Sequence, residues 1–221
     1  MDVFDILGPV MVGPSSSHTA GAVRIGLVTR ALLGQKPVKA EITLTGSFAL
    51  TGRGHGTDRG IVAGLLGMQP DNMDIPESFE KAKSAGLNFN IKAGTGKNAH
   101  PNTAVIDVEG EGGRKLSVQA SSTGGGRIMI NMLDGIEVNC TCEMPTLIVH
   151  NLDLPGHVSH VTGLLTRYGV NIANMSLYRD RRGGSAVMAI ETDEPLPPEI
   201  VREIEMEEGI IKVTYINPED I

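Results

Sequence analysis

The order of elements in the last third of the chain sets the tightest limit on how it can fold. Residues 146–151 (TLIVHN) read as a strand and 152–156 (LDLPG) as the turn that leaves it. Over residues 157–168, Val158, Val161, Leu164, Leu165 and Tyr168 recur at helical spacing, and Gly169 stands where a C-cap glycine belongs. Residues 171–178 and 185–192 read as strands joined across Asp180-Arg181-Arg182-Gly183-Gly184, a hairpin signal. Pro197 and Pro198 open a helix carrying Ile200, Val201 and Ile204, and the β-branched run 210–216 closes the unit. A βαββαβ order in so short a stretch predicts the split βαβ, ferredoxin-like plan.

The first 143 residues are less regular. Helix signals cover 19–33, ended by Gly34, then 57–66, then 77–85 after Pro76. Strand-like stretches lie at 40–45, 103–109, 115–120, 127–133 and 135–142. Helices and strands mix without strict alternation, which predicts an α+β fold: a mixed domain over 1–143 and the ferredoxin-like domain over 146–221, with the boundary near Glu143-Met144-Pro145.

Composition removes several function classes. Aromatic residues make up 3% and tryptophan is absent, which opposes a base-stacking surface, and a net charge of −7 opposes a phosphate-binding face, so no nucleic-acid partner is expected. The 40% hydrophobic content suffices for a packed core. The start, Met1-Asp2-Val3-Phe4-Asp5, has no basic region and no long apolar run, so neither a signal peptide nor a membrane span is expected. The two cysteines, Cys140 and Cys142, are too close in sequence for a disulfide scaffold, and a reducing cytoplasm is the expected location. On a strand they read as half-buried residues of one face rather than half of a zinc knuckle.

The strongest local signal is Gly13-Pro14-Ser15-Ser16-Ser17-His18-Thr19, directly before an apolar helix. Hydroxyls and free N–H groups converge there, an arrangement suited to a carboxylate, and they exceed what helix capping needs. Gly52-Arg53-Gly54-His55-Gly56-Thr57-Asp58 reads as a loop that places a histidine among glycines, and His100-Pro101-Asn102-Thr103 as a loop histidine held by proline. Each histidine alone is commonly a solvated loop residue; three in one domain point to an acid–base site. Ser121-Ser122-Thr123-Gly124-Gly125-Gly126 reads as a Gly/Ser loop between strands, either a plain hairpin or an anion wrap. Gly94-Thr95-Gly96-Lys97-Asn98 lacks the first glycine of a phosphate loop and has Asn98 where a magnesium-binding hydroxyl would stand, which excludes a nucleoside triphosphate site. His157 and His160, three apart on a helix, read as effector contacts or solvated residues, because no further metal-ligand pattern accompanies them.

Four stretches together, FDILGPVMVGPSSSHTAGAVRIG, GSFAL with GHGTD, HPNTA and TGGGRI, resemble the beta subunit of the bacterial iron–sulfur-dependent L-serine dehydratases, across essentially the full chain. The C-terminal unit resembles an ACT domain, and the N-terminal unit is also similar to the allosteric substrate-binding domain of some phosphoglycerate dehydrogenases. The resemblance implies an L-serine ammonia-lyase forming pyruvate and ammonia. It implies a 4Fe–4S cluster without pyridoxal phosphate, with cluster ligands on a separate cysteine-bearing alpha subunit. Carried onto this chain, it implies Ser15, Ser16, Ser17, Thr19 and Asp58 as substrate contacts. His55 becomes the acid–base residue, with His18 and His100 as supporting groups or alternatives. Asn151, Asp153 and Gly156 become effector contacts at the ACT turn, and the ACT domains a route to a homodimer. A stand-alone amino-acid sensor is the competing expectation. A hydrolase using Ser17 and His18 is weak, since adjacent residues seldom aim as a nucleophile–base pair.

Overall fold

A computed structural model of the chain describes residues 10–95 and 100–221. The 4–9 part of the first motif, and Gly96, Lys97 and Asn98 of the rejected phosphate loop, lie outside the described residues. Two compact units result, the first running to Asp134 and the second Gly135–Asp220.

In the first unit, helices α1 (Gly21–Leu33), α2 (Gly46–His55), α3 (Thr57–Leu65) and α4 (Ser78–Ser84) accompany strands β1 (Pro37–Thr45), β2 (Asn88–Ala93), β3 (Asn102–Gly110), β4 (Lys115–Gly124) and β5 (Arg127–Leu133). The strands lie in the order β2-β1-β3-β4-β5, with β1 and β2 parallel and the other pairs antiparallel. Alternation along each strand buries one face: Ala40, Ile42 and Leu44 on β1, Ala104, Ile106 and Val108 on β3, Leu116, Val118 and Ala120 on β4. Helix α1 is apolar on nearly every side and is correspondingly buried at ten of its thirteen positions. It runs against α3 so closely that glycines form the contact: a Cβ on Gly26 would stand 2.3 Å from the Ile61 carbonyl oxygen.

The second unit contains β6 (Ile136–Cys140), β7 (Thr146–Leu152), α5 (His157–Arg167), β8 (Ile172–Arg179), β9 (Ser185–Thr192), α6 (Pro198–Glu205) and β10 (Ile210–Ile216). Its sheet has the order β10-β7-β9-β8, all neighbours antiparallel, which is the ferredoxin-like arrangement the element order predicts. Leu147, Val149, Met188, Ile190 and Val213 of the sheet meet Val161, Leu164, Leu165, Ile200 and Ile204 of the two helices in one core. The α+β class holds for the chain.

Several local expectations are corrected. The segment expected as a loop at 52–58 is the end of α2, a Gly56 link with φ of 71°, and the start of α3. Residues 121–124, expected as a loop, continue β4, so only Gly125 and Gly126 turn the chain. Strand β2 had no counterpart among the expected elements. Cys142 lies beyond β6 with a φ of 52°, and both cysteines are fully buried rather than half-buried, their sulfurs 3.5 Å apart.

Candidate active site

The Ser-rich motif folds as a π turn, Ser16–Ala20, leading straight into α1. Ser15 caps it, its Oγ accepting the His18 N–H at 3.2 Å, and the Gly21 N–H closes the wide turn on the Ser16 carbonyl. Such turns lodge side chains where a regular helix would not, which is why they recur at functional sites. Here the turn projects His18 toward α2. His18 Nε2 lies 2.9 Å from Ser47 Oγ and Nδ1 3.4 Å from Ser15 Oγ, so both ring nitrogens face hydroxyls. The His55 ring stands perpendicular to it with centroids 5.0 Å apart, and Phe48 presents its ring at 5.4 Å.

Two of the three expected histidines therefore meet, and Thr19, next to His18, donates its hydroxyl to the His55 carbonyl at 2.9 Å, which pins the end of α2 to the π turn. Burial, and then the neighbouring His55, hold the His18 imidazole below its ordinary pKa, so it is neutral near pH 7. His55 Nδ1 is buried and has no hydrogen-bond partner among the described residues. The pair thus combines an oriented neutral imidazole with one whose ring nitrogen is uncommitted, and it can take up and return a proton.

The remaining site residues spread out. Ser16 and Ser17 are half-buried on the π turn. Thr19 is buried beneath the pair, where its hydroxyl holds backbone. Asp58 Oδ1 accepts the Arg59 N–H at the start of α3, and Asp58 lines a separate cavity. Among the described residues the His100 ring makes no ring contact or hydrogen bond with the pair: its Nδ1 accepts the Asn102 N–H at 3.3 Å. Its loop contributes through backbone instead. The Pro101 carbonyl accepts the Ser47 N–H at 2.6 Å and the Phe48 N–H at 3.4 Å, fixing the start of α2. Gly46 permits this approach, with φ of 56° and no room for a Cβ, which would fall 2.4 Å from the Pro101 oxygen. Ser47 and Phe48, which sequence reasoning did not single out within GSFAL, complete the site. Among the described residues no group of three His, Cys, Asp or Glu side chains could hold a metal ion, and no helix is long and apolar enough to cross a membrane.

Comparison with known proteins agrees with this architecture. Residues 2–94 match the family "Serine dehydratase beta chain" and residues 145–207 match "ACT domain". A Bacillus subtilis protein named "Probable L-serine dehydratase, beta chain" is 39% identical over 214 residues, covering 97% of each chain. This chain belongs to the L-serine dehydratase beta-chain family. A second member, the "L-serine dehydratase, beta chain" of Peptoniphilus asaccharolyticus, is 39% identical over 194 residues and 87% of each chain. A "D-3-phosphoglycerate dehydrogenase" of Methanocaldococcus jannaschii is 29% identical over 136 residues, 62% of this chain and 25% of that one.

In the ACT unit of this family member, the turn between β7 and α5 gathers the other expected residues. The Asp153 carboxylate is engaged, accepting the Gly183 N–H at 2.9 Å and Arg179 Nη1 at 3.1 Å. The Gly183 N–H and then Arg179 hold it below the usual carboxylate pKa, outweighing an opposing desolvation. Asn151, only 3% exposed, donates from Nδ2 to the Leu152 carbonyl and leaves Oδ1 without a partner. Gly156, at φ 108°, opens onto free space at the start of α5. His157 is buried at 7% exposure with neither ring nitrogen hydrogen-bonded, which excludes the solvated reading for it. Gly209 leaves room for the ring, since a Cβ there would come 2.7 Å from it. His160 Nε2 lies 3.5 Å from Glu207 Oε2.

Proposed function

We propose that this chain is the beta subunit of a cytoplasmic L-serine ammonia-lyase that forms pyruvate and ammonia together with a cluster-bearing alpha subunit. The observation that carries the reading is the His18–His55 pair, two imidazoles 5.0 Å apart beside the Ser15 and Ser47 hydroxyls. It occurs in a chain whose 39% identical relatives are named L-serine dehydratase beta chains.

Elimination from L-serine must remove an unacidic Cα proton and expel hydroxide from the β-carbon. His55 takes the proton in this proposal, as the family resemblance implies, because both nitrogens of His18 already face hydroxyls. His18, kept neutral, orients its partner without repelling an incoming ammonium group, and the Ser15–Ser17 hydroxyls at the helix start receive the substrate carboxylate. Thr19 supports this surface from beneath and His100 through its loop, whereas Asp58 lies at the separate cavity and takes no part in it. A 4Fe–4S cluster supplies Lewis acidity toward the substrate oxygens when bound. The chain's two cysteines, both buried with sulfurs 3.5 Å apart, do not fit the thiolate set such a cluster takes, so its ligands are assigned to the alpha subunit.

The test is anaerobic pyruvate formation from L-serine by this chain alone and after mixing with the cysteine-bearing subunit and a reconstituted cluster. Activity in the mixture only is expected, and His55→Ala lowers its turnover roughly 100-fold or more with the fold intact. Near-normal turnover in that variant removes His55 from the mechanism. No pyruvate from a mixture with a spectroscopically intact cluster favours an amino-acid sensor. At the ACT turn we assign a small amino-acid effector to Asn151 and Gly156, with Asp153 shaping the adjoining hairpin, and pairing of two beta chains to the ACT units. Saturable amino-acid binding that Asn151→Ala abolishes supports this; an assembled enzyme indifferent to amino acids leaves the unit a structural module.

A further inference from the structure

The first unit contains a second place where chemistry is left unsatisfied. A cavity of about 760 Å³ opens between α2, the starts of α3 and α4, and the edge strand β2. That volume lies in the range of small-molecule sites, about 300–1,000 Å³. Its walls include the half-buried rings of Phe79 and Phe89, with the fully buried Phe48 beneath the surface. Phe79 and Phe89 stand 5.0 Å apart, and the Arg59 guanidinium lies over the Phe79 ring, 4.9 Å from its centroid.

The charges at the cavity do not cancel. Arg59 and Lys92 both line it, and among the described residues neither has a carboxylate within ion-pair distance. Among the described lining residues Asp58 is the one carboxylate, its Oδ1 on the Arg59 backbone N–H, so two cations face one anion, and Asn90 is drawn to Glu41. Stacking on Phe79 pre-orders the guanidinium fork, so little side-chain freedom remains to be lost when a planar anion docks on it. The wall thus offers cations on one part and aromatic rings on another.

We propose that this cavity binds an organic acid: a carboxylate seated on Arg59 and Lys92 with an apolar, aromatic-sized body against Phe79 and Phe89. The site is separate from the histidine pair, since neither His18, Ser47 nor His55 lines the cavity. Phe48 lies under the cavity wall, fully buried, with its ring 5.4 Å from the His18 ring. The inference does not depend on the L-serine reading, because its test is direct binding.

The experiment is isothermal titration of the full-length chain with 3-phenylpropionate and with 3-phenylpropanol, which has the same body without the carboxylate. The acid should bind saturably. The alcohol, and the acid on Arg59→Gln, should bind at least about tenfold more weakly, the scale of one charge-assisted hydrogen bond. Circular dichroism checks the variant's fold, and Lys92→Gln on the exposed strand provides the second variant should Arg59→Gln prove unstable. Absence of saturable acid binding up to about 10 mM, where millimolar affinity is still read, overturns the proposal. So does binding that the alcohol or the charge-removing variants share equally, which would mark plain apolar adsorption.

Discussion

Gly64→Ala probes the helix contact on which the candidate site rests, and the structure sets its size. The new Cβ would stand 2.1 Å from the Val23 carbonyl oxygen, 2.7 Å from the Leu27 nitrogen and 2.8 Å from Gly26 Cα. All three are backbone atoms, which cannot rotate away. Ordinary non-bonded separations for carbon are about 3.5–4.0 Å, so α1 and α3 must part by roughly 1 Å. Helix α1 is buried on almost every side, so that shift is passed to the sheet below it and to the π turn at its start. Overpacking costs about 1–3 kcal/mol, and three backbone clashes put this case at the upper end. Replacing a helical glycine by alanine returns about 0.5–1 kcal/mol. The net expectation is about 2 kcal/mol of destabilisation, roughly 30-fold in the unfolding constant. Urea unfolding followed by far-ultraviolet circular dichroism should show the midpoint falling by about 1 M. Gly54→Ala in α2, where nothing lies within 4 Å of a new Cβ, should leave the midpoint unchanged or raise it. A Gly64→Ala midpoint at or above that of the parent chain would refute the close-packing argument.

Three further outcomes follow from individual groups. The fold holds His18 below its unfolded pKa, so in acid the unfolded chain protonates first: the stability due to neutral His18 is complete above about pH 6.5 and declines as pH falls below it. Between about pH 7.5 and 5.5 the urea midpoint should therefore drop further in the parent chain than in His18→Asn, and equal drops would contradict this. Cys140 and Cys142, 2% and 0% exposed, should give almost no reaction with Ellman's reagent in the native state and two thiols once unfolded; two fast native thiols would show that the segment after β6 opens. Gly209→Ala places a side chain at φ 84° with its Cβ 2.7 Å from the His157 ring, so the ACT unit should lose about 1–2 kcal/mol or more, read as a lower thermal midpoint.

The ACT unit was legible because its signals are local. Periodicity at Val161, Leu164 and Leu165, glycine after the helix and a Gly-Gly hairpin each act within a few residues, and β9 and β10 fall on the stretches so read. In the first unit α1, α3 and α4 were readable for the same reason. Helix α2 was not, because Gly46, Gly52 and Gly54 depress its propensity and its start depends on the distant Pro101 carbonyl. Strand β2 is short and polar at alternate positions, and its parallel pairing with β1 spans some fifty residues, as in Lys39 with Asn88. Residues 121–124 lack strand propensity but are held between β3 and β5, as Ser121 shows by facing Thr103 and Met129.

The site divides along the same line. Residue types and short spacings marked a hydroxyl-rich helix start and three histidines of the first unit as candidates for acid–base chemistry. Only the tertiary structure decided that His18 meets His55 and Ser47, that the His100 ring does not join them, and that Asp58 lines a different cavity. The physical reason is that helix starts and turns are set by neighbours in sequence, whereas convergence of side chains depends on how α1, α2 and α3 dock, and glycine contacts invisible to any local pattern set that docking.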